Sequence, residues 1–101
     1  MSKRMGGREG YADLEKNHKI TMIGRAIGVS LTSVKSSNLM AYGYDNTNNE
    51  LWVLYKKYRL YKYPNITREQ YLSLDSASSK GTWTSNNLRG LPCQEYSIEG
   101  L

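Results

Sequence analysis

Leu51-Trp52-Val53-Leu54-Tyr55-Lys56-Lys57-Tyr58-Arg59-Leu60-Tyr61-Lys62-Tyr63 is the stretch that decides the fold. Aromatic and β-branched residues alternate with others along two arms, which is the pattern of paired strands, and the arms meet at a tight turn near Lys57-Tyr58. Successive side chains of a strand point to opposite faces. Leu51, Val53, Tyr55, Arg59, Tyr61 and Tyr63 therefore share one set of positions, and Trp52, Leu54, Leu60 and Lys62 the other. Neither set is plainly polar, so both faces of the hairpin are expected to be covered at least in part. Tyr61 and Tyr63 are expected to face inward, packing on Tyr71 and Leu74. Lys56, Lys57, Arg59 and Lys62 lie in this stretch with no acid among them. They form a candidate basic patch.

Composition narrows the partners. A chain of 101 residues makes one domain with one modest core. Its formal net charge of +5 and pI near 9.4 favour phosphate-bearing partners. Cys93 is the single cysteine, so no internal disulfide forms; with no secretory signal apparent, a reducing cytoplasm is the expected setting. One histidine, His18, and one cysteine are too few for a typical zinc site, and no apolar run approaches the ~20 residues of a membrane span. No metal, cofactor or membrane partner is expected. The aromatic set is nine Tyr, two Trp and no Phe. Buried tyrosines need hydroxyl partners, which places most of these rings at strand edges and reserves a few for a ligand.

Working outward, residues 1–19 read as a polar, glycine-containing flexible arm with a helical turn near Tyr11–Lys16, in which Arg4, Arg8, Lys16 and Lys19 are available to phosphates. Residues 20–34 place Ile20, Ile23, Ile27, Leu31 and Val34 at helical spacing, against Gly24 and Gly28, and the β-branched Val29–Val34 half reads as a strand. The segment supplies cover for the second hairpin face, either within the chain or across a two-fold axis, so a homo-oligomer is expected. Leu39–Tyr44 reads as a strand and Asp45–Asn49 as a turn. Thr67 and Gln70 form a capping box that opens a helix over roughly Arg68–Ser78, with Tyr71, Leu72, Leu74 and Ala77 as its apolar stripe and Gly81 as its cap. Thr82-Trp83-Thr84 reads as a short strand and 91–101 as an extended tail. The predicted fold is α+β: a small antiparallel sheet with one helix packed across one face, spanning 20–90.

Catalysis is not expected. A nucleophile needs a base within reach and an orienting group behind it, and the scattered Asp45, Glu69 and Asp75 supply neither a triad nor a carboxylate pair. A binding site assembles more readily. Ser78, Ser79 and Lys80 leave the helix, Asn87 and Arg89 follow, and Ser36, Ser37 and Asn38 precede the first strand. Hydroxyls, amides, one Lys and one Arg are the groups that hold phosphates. The candidate phosphate ligands are Ser37, Ser79, Lys80, Asn87 and Arg89, with Tyr44 and Trp83 as candidate base-stacking rings.

Several of these segments also carry a resemblance. Ser36-Ser37-Asn38-Leu39, Gly43-Tyr44-Asp45, Leu51-x-Val53-x-Tyr55, Tyr61-Lys62-Tyr63, Ala77-Ser78-Ser79-Lys80-Gly81 and Asn87-Leu88-Arg89-Gly90 follow one another at the spacing of the KTSC domain family. The chain resembles that family over residues 36–90. The family is named for a C-terminal appendage of some lysyl-tRNA synthetases and also occurs as small stand-alone proteins. Tyr58 stands where the family favours Gly at the hairpin turn, and Thr84 and Ser85 where it has an aromatic residue and Asn. The synthetase context implies RNA or single-stranded nucleic-acid binding. The residues themselves favour non-enzymatic capture of a small nucleotide in a pocket of Tyr, Ser and Arg; sequestration of a cyclic dinucleotide signal by a phage protein against host defence is a setting suggested by a short stand-alone protein, not by any residue. A third expectation is an oligomeric protein-interaction module.

Overall fold

Strands β3 (Glu50–Tyr55) and β4 (Arg59–Tyr63) pair antiparallel from Leu51↔Tyr63 to Tyr55↔Arg59, the hairpin that the alternation predicts. The computed structural model describes residues 2–100, with side chains described over 13–99. Around the hairpin stand β1 (Thr32–Ser33), β2 (Leu39–Asp45) and β5 (Gln94–Tyr96). The sheet runs β1-β2-β3-β4-β5, every neighbouring pair antiparallel. Three helices complete an α+β fold: α1 (Ser2–Ile27), α2 (Arg68–Ser76) and α3 (Lys80–Asn87).

Lys56–Tyr58 bridges the hairpin, with Lys57 at φ 65° and Tyr58 at φ 57°. Both lie in the left-handed region, which costs a residue other than glycine about 1–2 kcal/mol. The positive-φ turn is thus kept without glycine. Tyr58 packs its ring on the α1-side core, and Lys19 Nζ lies 5.2 Å from the ring centre.

The two faces divide as the alternation predicts. Trp52, Leu54 and Leu60 pack with Ile20, Ile23, Val29, Met40 and Ala41 beneath α1. Leu51, Val53 and Tyr63 pack with Leu39, Tyr42, Ile66, Leu74 and Leu88 on the opposite face. A bulge between Leu39 and Ala41 puts the consecutive Met40 and Ala41 on the same, α1-facing side. Cover for that side comes from within the chain.

Several boundaries differ from the sequence reading. Residues 2–19 of the expected arm lie within α1, whose buried Ile20 and Ile23 dock its C-terminal half on the sheet. Arg4 and Arg8 fall outside the described side chains. The helix stops where Gly28 turns left-handed (φ 75°) and Val29 donates its N–H to Gly24, a Schellman closure that confines strand β1 to two residues. Helix α2 keeps the predicted capping box, Thr67 N–H to Gln70 Oε1 (2.7 Å) and Gln70 N–H to Thr67 Oγ1 (3.1 Å). It buries Leu74, whereas Leu72 is 45% exposed and lies off the stripe. Thr82-Trp83-Thr84 is helical rather than a strand, and Gly81 lies inside α3 rather than capping α2. Part of the expected tail pairs with β4 as β5. Two helices, not one, cover the tyrosine-bearing face.

Candidate functional site

Ser79 caps α3 from outside, its Oγ accepting the Thr82 N–H at 3.2 Å. The same junction brings Ser36–Asn38, just before β2, against the start of the helix. Gly81 makes the approach possible: a Cβ there would lie 2.6 Å from Asn38 Oδ1 and 3.0 Å from Ser36 Oγ. The result is a cleft of about 540 Å³ walled by Ser36, Ser37, Asn38, Ser79, Lys80 and Thr82, with Lys35, Ser78 and Ser85 at its margins. Of the first amides of α3, which lack an acceptor within the helix, that of Thr82 is held by the Ser79 side chain. Hydroxyls, an amide and two lysines make this a polar, anion-compatible cleft.

Three of the five predicted phosphate ligands, Ser37, Ser79 and Lys80, meet here. Lys80 Nζ donates to the carbonyls of Asp75 (2.9 Å) and Ala77 (2.6 Å), closing the end of α2. An ammonium has three protons, so one remains for a ligand. Ser36 is committed locally: its Oγ donates to Asn38 Oδ1 (3.0 Å) and accepts from the Leu39 N–H (3.3 Å).

Arg89 stands elsewhere. It lines a separate cavity of about 270 Å³ with Tyr55, Tyr63, Leu88 and Cys93. Ser85 borders both cavities. The Tyr55 and Tyr63 hydroxyls pair at 2.9 Å, so one O–H of the pair keeps a proton to donate elsewhere. Burial pushes both hydroxyls above their ordinary pKa range and keeps them neutral. Asn87 lies in neither cavity; its amide donates to the Trp83 carbonyl at 2.8 Å.

The predicted stacking rings are engaged within the fold. Tyr44 stacks on Tyr71 (4.9 Å between centroids, 9° between planes) and donates to the Ile66 carbonyl at 2.6 Å. Trp83 donates from Nε1 to Ser73 Oγ at 3.0 Å, tying α3 to α2. Tyr63 is buried as expected, whereas Tyr61 is only half-buried and turns its hydroxyl to Glu95 at 3.1 Å. In the basic patch, Arg59 pairs with Glu95 and Lys62 with Glu50, each at 3.3 Å. Lys56 and Lys57 are exposed.

Sequence reasoning missed Thr82 and Ser85 as cleft residues because it placed 82–84 in a strand. The Ser79-x-x-Thr82 spacing was the available signal for a helix start. Among the described residues, no group of three or more His, Cys, Asp or Glu is placed to hold a metal ion, and no helix is long and apolar enough to cross a membrane.

Comparison with known proteins bears on the same segment. No curated protein matches the chain. A crystal structure of a KTSC domain protein from Yersinia pestis shares the fold, with a TM-score of 0.65 at 24% identity, covering 68% of this chain and 99% of that one. The family model described as the KTSC domain matches residues 35–91, which is more than half of the 101 residues and takes in Ser36–Asn38, the hairpin, α2, α3 and Arg89. The chain belongs to the KTSC domain family.

Proposed function

We propose that the protein captures a small phosphate-bearing nucleotide without transforming it, in the cleft between Ser36–Asn38 and the α2–α3 junction. One observation carries this reading: residues far apart in sequence, Ser37 on one side and Ser79 and Lys80 on the other, line one polar cleft at the opening turn of α3. Ser85 joins that cleft to the Arg89 cavity. A ligand with two phosphates then has a cation on either side of Ser85, and Arg89 grips one phosphate through two parallel hydrogen bonds. A cyclic dinucleotide-type signal has that form, and its capture acts by sequestration. A nucleic-acid strand along the hairpin draws on four cations, of which Arg59 and Lys62 already hold acids.

Calorimetry on the full chain with mononucleotides, cyclic dinucleotides and a short RNA, at two salt concentrations, tests the proposal. A two-phosphate ligand gives a shallow loss of affinity with salt, whereas a strand making ~5 or more phosphate contacts gives a steep one. Ser37 is exposed, so Ser37→Asp is expected to keep the melting temperature while setting a negative charge against the ligand, lowering affinity more than about tenfold. Arg89→Lys removes the two-pronged contact and weakens binding by roughly ten- to a hundred-fold. Nucleotide binding that ignores both substitutions, or steep RNA binding alone, overturns the proposal.

A further inference from the structure

A cavity of about 820 Å³ shares no residue with either cavity beside α3. Three separate segments wall it: the C-terminal half of α1, the hairpin turn with Arg59, and β5 with the chain that follows it. Its apolar lining is Met22, Ile23, Tyr58, Tyr96 and Ile98. Met22 is 48% exposed, a flexible apolar side chain left facing the opening. An apolar concavity with a few convergent charges is the usual form of a small-molecule site.

The charges are unevenly matched. Arg59 and Glu95 neutralise one another at 3.3 Å. Lys19, Lys57 and Glu99 also line the cavity, and Lys19 lies over the Tyr58 ring. That leaves two cations facing one carboxylate, beside His18. The rim favours an anionic head.

The turn adds an independent observation. Lys57 and Tyr58 are consecutive residues in the left-handed region, φ 65° and 57°, and both line the cavity. Strain of this kind collects at ligand clamps, where the surroundings hold a residue in a position it would not otherwise take. Here it turns a cation and an aromatic ring toward one opening, where glycine would leave neither. We infer that the groove between α1 and the hairpin turn binds a small amphiphile with an apolar body and a single anionic head, such as a medium-chain carboxylate. Lys57 engages the head, and Met22 and Tyr58 hold the body.

Calorimetry with decanoate on the full chain tests this, with decyltrimethylammonium as the same chain under the opposite charge. Decanoate is expected to bind at least tenfold more tightly. Lys57→Gly relieves strain and removes the cation while cutting no core contact, so it is expected to fold at least as stably and to bind decanoate about tenfold more weakly. Met22→Glu places a carboxylate at the opening and is expected to weaken decanoate without affecting nucleotide titrations. Equal binding of the two amphiphiles overturns the inference, as does binding of neither. Sedimentation showing that a second copy of the chain covers the groove and excludes decanoate overturns it as well.

Discussion

The two faces of the sheet are built from different materials. Beneath α1 the core is aliphatic, with Trp52 the large ring, and the Trp52 Nε1 is buried without a hydrogen-bond partner among the described residues. Beneath α2 and α3 the sheet presents Tyr42, Tyr44, Tyr55, Tyr61 and Tyr63, and all five hydroxyls hold specific partners: Asp75, the Ile66 carbonyl, Glu95 and, for Tyr55 and Tyr63, one another. Apolar packing is tolerant of small shifts, whereas a hydrogen bond fails within a fraction of an ångström. The α1 face therefore supplies bulk stability. The tyrosine face fixes position, and the two cavities beside α3 sit where position is fixed.

Truncation on either face should test that division with the largest effects. Leu54→Ala beneath α1 and Tyr63→Ala beneath α3 are each expected to cost ~3 kcal/mol or more, read from urea unfolding. The faces separate on a subtler change: Tyr63→Phe keeps the ring and removes only the 2.9 Å hydroxyl pair, for a cost of about 1 kcal/mol. A Tyr63→Phe loss as large as that of Tyr63→Ala would show that the hydroxyl pair carries the site rather than the ring.

Glycine substitutions sharpen the comparison at a smaller scale. At Gly43 an added Cβ meets the Ser30 backbone carbonyl and lies 2.9 Å from Leu31 Cδ2, so the cover over the α1 face must move. At Gly81 it meets only the side chains of Asn38 and Ser36, which can swing. Gly43→Ala is expected to destabilise by about 1–3 kcal/mol, and Gly81→Ala by less while reshaping the cleft. Equal melting temperatures would contradict this.

Alkali should act through the tyrosine face. Burial raises the hydroxyl pKa of Tyr42, Tyr55, Tyr63 and Tyr71 above the usual 10.0. Unfolded tyrosines lose their protons near that value and folded ones only later. The stabilisation is thus complete below about pH 10 and is lost as pH rises through the folded values. Melting temperature is expected to fall above pH 10, and Tyr42→Phe, which removes the 2.5 Å bond to Asp75, is expected to flatten that fall. A slope unchanged by the substitution would place the titration elsewhere.

What the sequence disclosed follows a physical line. The hairpin, the Asp45 turn and the Thr67–Gln70 capping box are local patterns, and all three stand. Helix α3 was hidden because Thr82-Trp83-Thr84 has the composition of a strand, while its helical state rests on the Ser79 cap and the distant Ser73. That single difference also divided the predicted site. A strand over 82–84 would bring Lys80 and Arg89 together; an eight-residue helix is about 12 Å long and puts Lys80 at its first turn and Arg89 past its end. Strand β5 was hidden for the opposite reason. Gln94-Glu95-Tyr96 lies at a sheet edge, where polar residues are at home and no alternation is needed.

The order of the sheet has a kinetic consequence. Every strand pairs with the one before it in sequence, so each ladder closes a local connection, and only the link from β4 to β5 carries two helices. Entropy lost in closing a loop is smallest for the short links, which favours β2, β3 and β4 as the early meander. Strand β5 and the C-terminal half of α1 then dock on an existing surface. The large groove between them would be among the last parts of the molecule to form and, by the same token, among the first to open.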